Sequence, residues 1–273
     1  TTSITETDAS TLSTLTGVNN DYTATITTSS VDASVFNGIA NIVDNLTDGG
    51  VTTLTENAAD FAEVNSALTG GVLNGNEAVN ITGSISATNI NTVLGNTSGV
   101  VTANVSADTA SNLNSLLSSA TPSDALGLTI TNSATDASDL VALNAKTNQT
   151  IDVSSVSSSI NGTSSELIDI YITNNSQYTG LGNEDVVVDN TASASDVNQI
   201  LTATSGVVTA TVTADTASNL DTALVNATSS DALTITINGI TANASDINSL
   251  DGKTSVDLTV NATTLEGNID DLN

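Results

Sequence analysis

Short runs of alternating apolar and polar residues recur along this chain. Leu233-Thr234-Ile235-Thr236-Ile237, Val256-Asp257-Leu258-Thr259-Val260 and Val101-Thr102-Ala103-Asn104-Val105 are three of them. Apolar residues at every second position turn one row inward and leave Thr, Asn or Asp outside, which is the pattern of a half-buried strand. Val and Thr also suit the pleated backbone. By the same reading further strands start near Tyr22, Val51, Ala78, Leu126, Ile151 and Asp185. After each run the period changes to three and four. Ser193-Ala194-Ser195-Asp196-Val197 leads to Ile200 and Leu201, Asp136 leads through Leu140 to Leu143, Asn243 through Ile247 to Leu250, and Asn57 through Phe61 and Val64 to Leu68. That spacing predicts short amphipathic helices. Ser193, Asp136, Asn243 and Asn57 stand as N-caps, each with an acidic residue three positions on, as in a capping box. Helices of two to three turns need tertiary packing to persist.

The whole pattern is duplicated. Asn76-Glu77 returns 107 residues later as Asn183-Glu184, Thr97-Ser98-Gly99-Val100-Val101-Thr102-Ala103 as Thr204 through Ala210, and Ala107 through Leu113 as Ala214 through Leu220. Ala137-Ser138-Asp139 and Ala244-Ser245-Asp246 match, and the two lysines, Lys146 and Lys253, share the register. Within each block lies a shorter period of roughly 22 to 29 residues, in the range of repeat architectures. Strand, turn, short helix, turn at that period predicts an α/β repeat solenoid with parallel strands stacked on one side and short helices on the other. A right-handed parallel β-helix, its helices replaced by turns or strands, is the alternative. The expected organisation is one continuous solenoid, with divergent coils in 1–75, repeat block one in 76–182 and a truncated block two in 183–273. The stretch Ser155 to Leu181, with Tyr171, Tyr178 and the run Leu167-Ile168-Asp169-Ile170-Tyr171-Ile172, breaks the rhythm and reads as a divergent coil with an extra loop. The chain is expected to begin near a strand and to end just after a helix at Asp271-Leu272-Asn273, both ends open to further coils or to copies stacked head to tail.

Composition narrows the function. The 273 residues hold 30 acidic groups against two lysines, with no His, Cys, Met or Trp, and a net charge of -28. That excludes imidazole and thiol catalysis, zinc fingers and disulfide frameworks. The charge opposes nucleic acid and anionic membranes. Five aromatics (Tyr22, Phe36, Phe61, Tyr171, Tyr178) are too few for stacking platforms. The acids are spread at repeating positions and 38% of the residues are hydrophobic, which favours a folded chain over an acidic disordered tail. The sequence contains no apolar run of membrane-spanning length, and no signal peptide is visible at Thr1. The chain reads as a mature product or a segment of something longer.

Ala-Ser-Asp-Val at 194–197, Thr-Ser-Gly-Val-Val-Thr-Ala at 204–210, Ala-Asp-Thr-Ala-Ser-Asn-Leu at 214–220 and Asp-Gly-Lys-Thr at 251–254 resemble repeats of very large secreted cyanobacterial proteins. The acidic, Cys-free, Thr/Ser/Asn-rich composition is similar to that of type I–secreted adhesins and surface-layer proteins. The resemblance covers residues 76–273 well and 1–75 loosely, and it implies an extracellular or cell-surface structural role. The calcium-binding nonapeptide of RTX repeats is absent, since neither Gly49-Gly50 nor Gly70-Gly71 continues into it.

No catalytic or cofactor-binding residue is assigned, and no enzyme activity is expected. Helix capping accounts for most acids. Thirty carboxylates would gather calcium chiefly as diffuse counter-ions, with an ordered site that uses Asp48-Gly49-Gly50 or Asp251-Gly252 as the competing reading. Lys146 and Lys253 are expected at helix C-termini in a repeated ion pair with a neighbouring coil, the alternative being a covalent cross-link to an Asn or Asp. Thr23/Thr25/Thr27, Thr209/Thr211 and Thr234/Thr236 would stack into Thr ladders able to face ice, a glycan or a mineral. Sequons such as Asn45-Leu46-Thr47, Asn226-Ala227-Thr228 and Asn261-Ala262-Thr263 are expected by chance in so Asn- and Thr-rich a chain. The leading expectation is a structural protein of a filament, surface layer or adhesin stalk that associates with itself. A binding module that uses the Thr-lined face is the alternative.

Overall fold

A computed structural model describes residues 2–17, 21–268 and 271. The expected end at Leu272 and Asn273 lies outside the described residues. The chain is mixed α/β, with ten α-helices and several parallel sheets among the described residues. It divides into two compact units. One comprises 1–107, 112–129 and 144–149, and the other 108–111, 130–143 and 150–273.

In the first unit Tyr22–Ile26 pairs in parallel with Thr2–Ser3 on one side and Asn45–Asp48 on the other. A second ladder runs through Ser30–Asp32, Thr53–Asn57, Ala78–Ile85, Val101–Val105 and Ala125–Thr129, again parallel throughout. Partners in register are twenty-odd residues apart, as in Val79 with Val101 and Thr102 with Ala125, so each strand meets the equivalent strand of the next repeat. The inward row is the apolar one: Val31, Leu54, Val79 and Val101 are buried. Helices Ala33–Ala40, Phe61–Thr69 and Ala87–Leu94 bury one stripe each, the first through Ala33, Phe36 and Ile39 and the third through Ala87, Ile90, Val93 and Leu94.

The second unit repeats the scheme. Its ladder is Ala134–Asp136, Ser159–Gly162, Asp185–Ala192, Val208–Val212 and Ala232–Thr234, all parallel. Ile151–Asp152 pairs with Tyr178–Thr179, and two two-stranded sheets join Thr236–Ile237 to Thr259–Val260 and Thr241–Asn243 to Thr264–Glu266. Helices Ala194–Leu201, Ala217–Ala223 and Ala244–Asp251 follow the strands. The alternating run at Leu233 is divided between two strands, and the one at Val256 keeps strand geometry only at Thr259–Val260.

The two ladders share a defect. The register shifts between Ile81 and Ser84, where Gly83 has φ +84°, and again between Val187 and Thr191. A bulge of this kind bends the strand locally, and it sits at the same place in both repeat blocks. The segment 155–181 holds regular structure. Ser159–Gly162 is a full member of the ladder, and the helix Ser164–Ile168 widens into a π-helical turn at Asp169–Thr173. The apolar run 167–172 is therefore helical, with Leu167, Ile170 and Tyr171 buried.

Helix entry follows the caps read from the sequence. Ser193 accepts from the Asp196 N–H, Asn243 from Ser245, and Asp136 from Ser138. Asn57 caps a 3-10 turn at Ala58–Asp60, and the α-helix starts only at Phe61. A complete capping box occurs at Thr163 and Glu166.

Candidate functional site

The most distinctive local chemistry is a set of buried carboxylates that close the turns before the strands. Asp124 is 3% exposed. Its Oδ1 accepts the Val101 N–H at 2.9 Å, and its Oδ2 accepts both the N–H and the hydroxyl of Thr121 at 2.9 Å. Asp231 repeats this with Val208 at 3.0 Å and with the Thr228 N–H and hydroxyl at 2.9 and 3.0 Å. A strand N–H is thus satisfied by the carboxylate of the following coil. Glu77 is fully buried and accepts from the N–H groups of Asn74 and Gly75; Glu184 is buried too and accepts from Gly182 and Asn183. Glu184 has an additional donor, the Tyr171 hydroxyl. Burial, then the hydrogen bond to Glu184, pushes the Tyr171 phenol far above its usual range.

Threonine hydroxyls complete the latch. Thr97 and Thr204 donate to the Glu77 and Glu184 carbonyls at 2.6 and 2.7 Å and accept from the Gly99 and Gly206 N–H groups. At both glycines a Cβ would fall on the backbone of Glu77 or Glu184, so the two backbone segments touch there only because no side chain intervenes. Thr147 and Thr254, 3% and 6% exposed, accept from the Leu126 and Leu233 N–H groups at 3.0 and 2.9 Å and donate back to the same residues' carbonyls at 2.8 Å.

Beside each latch lies a polar cleft, and the two clefts match residue for residue at the repeat offset. The first, of about 300 Å³, is lined among others by Thr97, Ser98, Val100, Ser123 and Asp124; the second, of about 220 Å³, by Thr204, Ser205, Val207, Ser230 and Asp231. Both oxygens of each aspartate are already engaged by the chain itself. The clefts therefore present hydroxyls and one exposed valine each, with no carboxylate free to take a ligand. Another cleft, of about 510 Å³, is lined by Ser164, Glu166, Asp169, Thr173 and Asp196, among others. Among the described residues no three acidic groups gather where they could hold a metal ion.

The residues singled out from sequence fall as follows. The Nζ of Lys146 donates to the carbonyls of Asn114 and Leu117 at 3.0 and 2.9 Å, at the end of helix Ala110–Leu116. Lys253 donates to the Asp221 carbonyl at 2.7 Å and pairs with its carboxylate at 2.6 Å. Both lysines thus cover open carbonyls near a helix C-terminus. The carboxylate that meets Lys253 is Asp221, and the matching position in block one is Asn114. The Lys253 ammonium, then the Ser249 hydroxyl, hold the Asp221 carboxyl below the usual range. Asp48 closes its own turn by accepting from Gly50 at 3.0 Å and Val51 at 2.8 Å, and Asp251 is the last residue of its helix. The threonines lie on strands with partial ladders. Thr191, Thr211 and Thr234 align, but the adjacent row is Val187, Thr209, Ala232, and Thr23 aligns with Asn45.

The latch residues were not singled out from the sequence. Their signal was there in Thr-Ser-Gly at 97–99 and 204–206 and in Thr-x-x-Asp at 121–124 and 228–231. Comparison with family models, curated proteins and solved structures returns no match. No helix among the described residues is long and apolar enough to cross a membrane.

Proposed function

We propose that this chain is an extracellular structural repeat protein, whose acidic coils stack into one solenoid that serves a filament, a surface layer or an adhesin stalk. One observation carries the reading. Buried Asp and Thr side chains at the turns are spent on the backbone of the preceding coil, and the arrangement is built twice at the same offset with matching distances. Chemistry on a substrate needs groups held ready for it, whereas these join coil to coil. Backbone ladders along the repeat direction resist extension, the apolar row fills the interior, and a net charge of -28 keeps the surface hydrated. Calcium enters as a screening ion between acidic surfaces, and the partner is more of the same repeat. The likeness to repeats of secreted cyanobacterial surface proteins agrees with this role.

Immunogold labelling of intact cells that make the protein tests the location. Label outside the cell envelope supports the proposal, and label confined to the cytoplasm overturns it. The aligned Thr191, Thr211 and Thr234 favour a second reading, a face that binds ice, a glycan or a mineral. Thermal hysteresis or retention on a glycan array, lost when the three are replaced by Asn, would support it.

A further inference from the structure

The chain contains four Asn-Gly pairs, at 37–38, 74–75, 161–162 and 238–239. This dipeptide is chemically labile because the unhindered glycine nitrogen can attack the asparagine Cγ. Two of the pairs are restrained by hydrogen bonds and a third by burial in the ladder. Gly38 lies inside the helix Ala33–Ala40, and the Asn37 amide donates to the Glu63 carbonyl and carboxylate at 2.8 and 2.7 Å. The Gly75 N–H is given to the Glu77 carboxylate at 3.0 Å. Gly162 is buried in the parallel ladder opposite Val188. Asn238 and Gly239 are both exposed, in the turn between Thr236–Ile237 and Thr241–Asn243. Gly239 has φ +133°, and among the described residues its N–H meets no acceptor. The Asn238 Oδ1 accepts from the Asn261 amide at 3.0 Å, while among the described residues its own NH₂ meets no acceptor. Block one has Thr131-Asn132 at the matching turn, where Thr131 donates to Asp108 as Asn238 does to Asp215.

We infer that Asn238–Gly239 is a built-in self-modification site, at which the folded chain converts asparagine to aspartate and isoaspartate without an enzyme. The deprotonated Gly239 nitrogen bonds to the Asn238 Cγ, the Cγ–NH₂ bond breaks, and ammonia leaves with a proton from solvent. Water then opens the succinimide. Attack at Cγ gives aspartate, and attack at the main-chain carbonyl gives isoaspartate. Either product adds one negative charge. The isoaspartate also adds a methylene to the backbone between two strand pairs, Thr236–Ile237 with Thr259–Val260 and Thr241–Asn243 with Thr264–Glu266. The expected consequence is a slow, irreversible loosening of that coil.

The test is incubation of the intact folded chain at mildly alkaline pH. Peptide mapping by mass spectrometry follows the four sites, with electron-based fragmentation to identify isoaspartate. Modification at Asn238 should outpace each of Asn37, Asn74 and Asn161 by roughly fivefold or more, the factor that one protecting hydrogen bond supplies. In concentrated urea the four rates should converge to within the effect of their neighbours. Asn238→Gln should abolish the fast phase and leave the other sites unchanged. Equal rates at the four sites in the folded chain would overturn the inference, as would a lead for Asn238 that persists undiminished in urea.

Discussion

Replacement of Asp124 by Ala removes three hydrogen bonds to a buried carboxylate. The Val101 N–H is left with no solvent to turn to, because Val101 is fully buried. An unsatisfied buried donor costs about 1–3 kcal/mol, and a bond to a charged acceptor contributes about 1.5–3. Thr121 is exposed and regains water for its own groups, so its share is small. The sum is about 3–4 kcal/mol, a large part of the roughly 5–15 kcal/mol that holds a typical domain. Asp231→Ala should cost the same within about 1 kcal/mol, since its contacts repeat those of Asp124. Asp124→Asn keeps one acceptor but turns an N–H toward a donor, and should fall between wild type and Ala. Asp189, exposed on the bulge, is the control; its Ala variant should stay within about 0.5 kcal/mol. Urea unfolding followed by far-ultraviolet circular dichroism measures all four. A loss under about 1 kcal/mol for either Asp→Ala variant would refute the argument that these carboxylates hold coil to coil.

Other perturbations probe separate parts of the structure. Gly99→Ala and Gly206→Ala drive a methyl into backbone and should each cost about 2–3 kcal/mol in the same unfolding assay. Tyr171→Phe leaves Glu184 two backbone donors and should cost about 1–2 kcal/mol; Glu77 has no such partner, the matching position being Val64. The Asp221 carboxyl is held low by Lys253 and Ser249. Its contribution is therefore complete above the unfolded-chain value of about 3.9 and is lost as pH falls through the lower folded value. The difference in urea midpoint between wild type and Asp221→Asn should be constant at higher pH and shrink only below that point. Added salt should raise the midpoint, because the charge of -28 repels itself; a flat or falling response would contradict this.

Strand alternation and helix period were legible because each depends on local spacing. Val101–Val105 and Ala194–Leu201 are where the pattern puts them. The run 167–172 was harder, since a short apolar stretch suits a strand or a buried helix equally; the capping box at Thr163–Glu166 decides for helix. The latches were illegible for a different reason. Asp124 and Asp231 look like surface acids until the strand 23 residues earlier brings the Val101 or Val208 N–H against them, a contact set by register and not by neighbours in sequence. The lysines were half legible. Their place by a helix end follows from the repeat, but the Lys253–Asp221 pair rests on an aspartate where the first block has Asn114.

The central claim, a structural subunit that assembles through its acidic coils, is tested most directly by negative-stain electron microscopy of the purified chain, first with calcium and then with a chelator. The account predicts ordered filaments or sheets with calcium that thin or come apart when it is removed. Separate short particles under both conditions, at every protein concentration tried, would contradict it.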